Sequence, residues 1–216
     1  MRNRSIFPVL FALAISACSA PGPKTTDTAL QQQWGEHRLA LAEVRQWDMY
    51  ARAVLRLEGE AYNIGIRWQR ELDGRFMMLL EAPFGQGVFR IEDAASGVYR
   101  LSLPDGKFYE NSTVEALLQQ AIGWSLPVGG LDYWIRGLPQ PGDERAPLLD
   151  GRGRAQTIRQ AGWEIDYLAY FPASDVPALP RRLRLENDAV TLKLAIERWQ
   201  PAAADNDDAD LFPSFD

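Results

Sequence analysis

Residues 62–69 read Tyr-Asn-Ile-Gly-Ile-Arg-Trp-Gln. Tyr62, Ile64, Ile66 and Trp68 alternate with Asn63, Gly65, Arg67 and Gln69. Successive side chains of a strand point to opposite faces, so this stretch predicts a strand with one dry face and one wet face. That is the signature of an antiparallel sheet half-open to water. The period of two sets in at Trp47 and returns late in the chain. There Trp163, Ile165 and Tyr167 alternate with Glu164 and Asp166; Leu183 and Leu185 follow, then Val190, Leu192, Leu194 and Ile196. Asn187-Asp188 is the expected hairpin turn between the last two strands. Arg75–Glu81, Gly87–Glu92 and Gly97–Leu103 read as further short strands, and Asp105-Gly106 as a turn. Closely spaced strands with hairpin turns predict one antiparallel sheet, curled or closed on itself.

Three stretches break the period. Thr28–Arg45 carries Leu30, Trp34, Leu41 and Val44 without proline, which predicts an amphipathic helix capped by Asp27 or Thr28. Ser112 with Glu115 fits a capping box. The helix it opens has Leu117, Leu118, Ala121 and Ile122 as its apolar stripe, and Gly123 as its end. A second short helix is expected over Leu131–Arg136, followed by a Pro/Gly-rich loop over Leu138–Arg154.

The ends of the chain speak to location. Arg2 and Arg4 precede an apolar run from Ile6 to Ala17, and Ile15-Ser16-Ala17-Cys18 follows the pattern of a small-residue cleavage site. The run is shorter than the about 20 residues of a membrane-spanning helix. Cys18 is the only cysteine of 216 residues and stands directly after the small residues. The motif resembles the bacterial lipoprotein signal, in which that cysteine is lipidated and begins the mature chain. The expected organisation is residues 1–17 as signal peptide, 18–27 as lipidated tether, 28–200 as the folded body and 201–216 as an acidic disordered tail. Removing residues 1–17 leaves 21 basic against 29 acidic residues, a net charge of −8, and five of the acids lie in the tail. No basic stripe is present, so nucleic acid is not an expected partner.

Reaction chemistry finds little to use. His37 is the single histidine, so a Ser-His-Asp triad has only that residue to draw on, and it reads as a helix surface residue rather than a metal ligand. No G-x-S-x-G elbow, P-loop or G-x-G-x-x-G is present. Glu58 with Glu60, and Glu164 with Asp166, read as the polar face of strands. No enzymatic activity, metal or cofactor is expected. One turn is odd: in Pro83-Phe84-Gly85-Gln86-Gly87 a large apolar ring occupies a place where turns carry Asn, Asp or Ser.

Taken in order, several segments resemble the LolB family of the bacterial lipoprotein localisation pathway. Tyr62-Asn63-Ile64 to Trp68-Gln69 resembles its early strand, and Pro83-Phe84-Gly85 its Pro-Leu-Gly loop. Leu126-Pro127-Val128 with Leu131, Trp134 and Gly137-Leu138-Pro139 resembles its central signature. Gln160-Ala161-Gly162-Trp163 to Tyr167 and Tyr170, then Pro180, Leu183, Leu185, Leu192, Leu194, Ile196 and Trp199, resemble its late strands. The resemblance spans about Trp47 to Trp199. It implies a mainly β fold: a single antiparallel sheet of about eleven strands curled into an unclosed barrel, with helices covering an apolar cavity. It also implies an outer-membrane receptor, a monomer lipid-anchored through Cys18 and facing the periplasm. Such a receptor takes acylated lipoproteins from a LolA-like periplasmic carrier and inserts them into membrane lipid.

On that reading Tyr62, Ile64, Ile66, Trp68, Trp163, Ile165, Tyr167, Leu183, Leu185, Leu192, Leu194 and Ile196 line an open acyl-chain cavity. Leu117, Leu118 and Ile122 form its lid, and Phe84 on its Pro83/Gly85 turn is the membrane-insertion tip, in Phe where the family carries Leu. Two other readings of the same alternation stand: an anchored structural or interaction lipoprotein with a filled core and a buried Phe84, or a lipocalin-like carrier of small ligands with converging polar groups in its pocket.

Overall fold

The computed structural model describes residues 25–81, 87–95, 97–124, 126–142, 145–173 and 177–201, the side chains of 25–27 and 201 excepted. Cys18, the turn residues Pro83, Phe84 and Gly85, and the tail beyond Pro201 lie outside the described residues. The order of elements is α1 (Thr25–Ala42), β1 (Trp47–Leu57), β2 (Glu60–Arg70), β3 (Phe76–Glu81), β4 (Val88–Ala95), β5 (Val98–Ser102), β6 (Phe108–Asn111), α2 (Val114–Ile122), α3 (Val128–Trp134), β7 (Leu148–Leu149), β8 (Ala155–Gln160), β9 (Trp163–Tyr170), β10 (Pro180–Glu186) and β11 (Val190–Pro201).

The strands form one antiparallel sheet of eleven in the order β6-β5-β4-β3-β2-β1-β11-β10-β9-β8-β7. Nearly every strand pairs with its neighbour in sequence. The exception is the central pair, β1 with β11, whose register runs from Trp47↔Pro201 to Leu57↔Val190 with a bulge after Tyr50. β6 and β7 are free edges, so the barrel is unclosed. The period of two is followed as expected. Trp47, Met49, Ala51, Ala53 and Leu55 of β1 point inward and are buried, while Arg52 and Arg56 face water.

Several local expectations are corrected. α1 starts at Thr25, inside the stretch read as tether, so Asp27 and Thr28 lie within the helix rather than capping it. It ends at Ala42, before Arg45. The cap of α2 is Thr113, whose Oγ1 accepts the Ala116 N–H at 3.2 Å, and not Ser112. Glu115, the partner the capping box required, accepts the Gly129 N–H at 2.7 Å instead and ties α2 to α3. Gly123 does end α2, in the left-handed conformation at φ 73°. α3 begins at Val128 rather than Leu131. Glu58 sits not on a strand face but in the β1–β2 turn at φ 52°. β6, β7 and β8 escaped the sequence reading: each is short or carries scattered polar residues, and β7 lies inside the Pro/Gly-rich loop.

α1 packs through Trp34 and Leu41 against the loops at the β7–β10 side of the sheet. Gly153 permits this contact. A Cβ there would stand 2.4 Å from the Gln33 Cβ and 3.1 Å from the Leu30 carbonyl oxygen, at a φ of 67° that disfavours any side chain. His37 lies half-buried on α1 with Nε2 unpartnered among the described residues. Burial, then the charge of Arg154, lowers its pKa and favours the neutral ring.

The β8–β10 half of the sheet is filled by Trp134, which is fully buried. Its ring lies 6.5 Å from that of Trp163, its Nε1 donates to Gln160 Oε1 at 2.9 Å, and its carbonyl accepts the Tyr167 hydroxyl at 2.8 Å. Burial raises the Tyr167 pKa well above that of a free phenol, so the group stays a donor. A Cβ on Gly130 would meet the Trp134 ring at 2.7 Å, whereas one on Gly129 would meet only Glu115 Oε1, at 3.5 Å. Gly130→Ala is therefore expected to lower stability by about 1–3 kcal/mol in urea denaturation. Gly129→Ala, which keeps the N–H and gains helix propensity, should be neutral or stabilising by up to about 1 kcal/mol.

Candidate functional site

Where β1, β2, β3 and β11 meet the two central helices, the inner face encloses a cavity. Its floor is Met49, Ala53, Ile64, Ile66, Trp68, Met78, Leu80, Leu192 and Leu194. Its roof is Leu118 of α2, Trp124 and Leu126 of the linker, and Val128, Leu131 and Ile135 at α3. All fifteen side chains are apolar. The small Ala53 leaves room between Ile64 and Leu194, which are its direct partners on either side.

The cavity is nearly closed. Its volume is ≈ 40 Å³, against about 300–1,000 Å³ for an ordinary ligand site. An acyl chain does not fit this volume without movement of the roof.

The roof is held unevenly. The end of α3 is fixed by the Trp134 network, and by Arg136, which donates to the Asp132 carbonyl at 2.9 Å and to the Val44 carbonyl at 3.1 Å. The α2 end of the roof is joined to the start of α3 by the Glu115–Gly129 bond. Among the described residues, apolar contact otherwise holds it against the sheet, through the buried Val114, Leu117 and Leu118.

Of the residues expected to line the cavity, Ile64, Ile66, Trp68, Leu192 and Leu194 do, with Leu118 above them. Tyr62 stands at the margin, its ring 5.3 Å from that of Trp124. Trp163, Ile165, Tyr167, Leu183, Leu185 and Ile196 are buried on the inner face but do not line the cavity. Trp134 occupies the space in front of Trp163 and Tyr167, which makes that half solid core. Leu117 is buried and Ile122 half-buried; neither reaches the cavity.

Sequence reasoning missed Met49 and Ala53 on β1, Met78 and Leu80 on β3, and the whole linker-and-α3 part of the roof. In β3 the run Phe-Met-Met-Leu-Leu gives no alternation to read. In β1 the alternation was there, but its small alanines do not announce a cavity. β3 ends at Glu81, one residue past Leu80 on the cavity floor.

No group of three or more His, Cys, Asp or Glu able to hold a metal occurs among the described residues. Glu164 and Asp166 are engaged in ion pairs, with Arg159 at 2.6 Å and Arg184 at 2.7 Å.

Comparison with known proteins adds to this geometry. The family described as "Outer membrane lipoprotein LolB" matches residues 45–199. A relative from Nitrosococcus oceani, named outer-membrane lipoprotein LolB, is 34% identical over 197 residues, which is 89% of this chain and 95% of its own. One of the same name from Stutzerimonas stutzeri is 30% identical over 203 residues, 92% of this chain and 96% of its own. Among solved structures, a LolA superfamily protein from Nitrosomonas europaea overlays with a TM-score of 0.47 at 7% identity, covering 82% of this chain and 94% of that one. The chain thus belongs to the LolB family of outer-membrane lipoproteins, a family of lipoprotein localisation rather than of enzymes.

Proposed function

We propose that the protein receives the acyl chains of lipoproteins from a LolA-like periplasmic carrier beneath its α2–α3 roof and passes them into the outer membrane, to which Cys18 anchors it on the periplasmic side. The observation that carries this reading is a wholly apolar cavity that the protein closes with its own linker and two short helices. Water strongly disfavours a free acyl chain, at about 0.8 kcal/mol per CH₂. A cavity that opens on demand and closes on itself hides the chain during transfer without holding it as firmly as a bilayer does. Downhill release then needs no energy source.

The geometry also suggests how the roof opens. The strongly bonded end of α3 is the fixed end, and α2 with the Trp124–Pro127 linker is the part that lifts. Phe84 follows the cavity-floor residue Leu80 by four positions in the sequence, and its apolar ring enters the headgroup layer as the chains leave. Among the described residues the cavity wall carries no converging polar groups, which favours this reading over a lipocalin-like carrier.

In the filled-core alternative the roof never lifts. Adding a lipopeptide with brominated acyl chains separates the two. Bromine at van der Waals contact quenches indole emission, so uptake should quench Trp68 and Trp124, and Trp124→Phe should remove part of the effect. No quenching beyond that of brominated detergent in bulk solution would mean a filled core.

A transfer assay tests the insertion step. Membranes bearing Phe84→Glu should still accept a labelled lipoprotein from the carrier but deliver several-fold less of it to the bilayer than wild type. Equal delivery by the two proteins would remove Phe84 from the mechanism.

A further inference from the structure

A groove lies on the opposite, water-facing side of the sheet, with a volume of ≈ 690 Å³. One row of paired residues crosses it. Gly65 pairs with Arg52, Arg52 with Ala195, and Ala195 with Arg182. Small residues and arginines alternate along the row, so Arg52 stands between Gly65 and Ala195, and Arg182 beyond Ala195. Lys193, one outward position along β11, and the 63%-exposed Leu168 complete the far side. Arg52 pairs with Glu197 at 2.8 Å, and Glu81 lies over Gly65. Among the described residues Arg182 and Lys193 have no carboxylate partner. The groove therefore offers two unspent cations beside an exposed apolar rim.

The chain carries a segment of matching chemistry. After Pro201 come Asp205, Asp207, Asp208 and Asp210 with no basic residue, followed by Leu211, Phe212 and Phe215. The reach also matches. Ala195 lies six residues before Pro201, about 20 Å back along β11. Asp205 to Asp210 follow Pro201 by four to nine residues, or up to about 14–31 Å of extended chain.

We propose that the acidic segment 205–210 folds back onto this outer groove, its carboxylates on Arg182 and Lys193 and its following apolar residues toward Leu168. The tail then acts as an intramolecular mask over a basic surface that faces away from the acyl cavity. Because the two are tethered, the contact does not depend on protein concentration. It weakens with salt, since both partners are exposed. The inference stands apart from the receptor reading and survives or fails without it.

The test uses the mature chain with Cys18→Ser and a spin label at Ala209→Cys, read by amide line broadening. Broadening is expected at Gly65, Lys193 and Ala195. It should vanish in Arg182→Glu/Lys193→Glu and at an ionic strength of about 1 M, where the Debye length is about 3 Å. It should vanish too when Asp205, Asp207, Asp208 and Asp210 are changed to Asn, a variant that leaves the folded body untouched. Broadening that avoids these amides, or persists through the charge changes, would overturn the proposal. So would groove amides that ignore the tail but shift on adding phosphatidylglycerol vesicles, since the groove would then serve membrane phosphates.

Discussion

The first strand and the last strand of the body pair with each other through the middle of the sheet. That pairing joins the meander from β1 to β6 to the meander from β7 to β11, and so makes one sheet with a single continuous apolar face. With its edges unpaired to each other, the sheet does not close, and the face cannot be sealed by strands. It has to be covered by something else, because an apolar surface of that extent is not left to water. The segment inserted between β6 and β7 does the covering, and the cavity is the place where that cover fits least tightly.

The cover is asymmetric, and the asymmetry is chemical. Trp134 is bound on three sides: by Gln160, by the Tyr167 hydroxyl on its carbonyl, and by the ring of Trp163. Breaking such a buried network costs several interactions at once. Leu118, Trp124, Leu126 and Leu131 instead present apolar surface to apolar surface, which an acyl chain replaces with little loss. The same side-chain types therefore make solid core on the β8–β10 side and a displaceable packing on the β1–β3 side. What separates them is the polar anchoring of α3.

Much of the fold was legible because the alternation at Tyr62–Gln69, Trp163–Tyr167 and Val190–Ile196 is clean and its turns are marked. The site was legible only in part. Ile64, Ile66, Trp68, Leu192 and Leu194 were found because an inward-facing strand position is a candidate wall. Trp163, Ile165, Tyr167, Leu183 and Leu185 satisfied the same rule and proved to be core, since periodicity tells which way a side chain points and not what stands opposite it. The roof was hidden for a different reason. Val128-Gly129-Gly130-Leu131 is a poor helix former on propensity, and its place is fixed by Glu115 and Trp134. Ser112 lost the cap to Thr113 in the same way: the glutamate that would have closed the capping box is committed to Gly129.

The central claim is that the roof lifts to admit an acyl chain. Spin labels at Gln120→Cys on the exposed side of α2 and Asn63→Cys on the outer face of β2 report it as a distance by pulsed electron resonance, in the mature chain with Cys18→Ser. Loading with a triacylated lipopeptide should lengthen that distance by about the thickness of an acyl chain, and unloading into vesicles should restore it. An unchanged distance in protein shown to hold the lipopeptide would mean that the chain binds elsewhere, and that the cavity of ≈ 40 Å³ is a packing defect rather than a site.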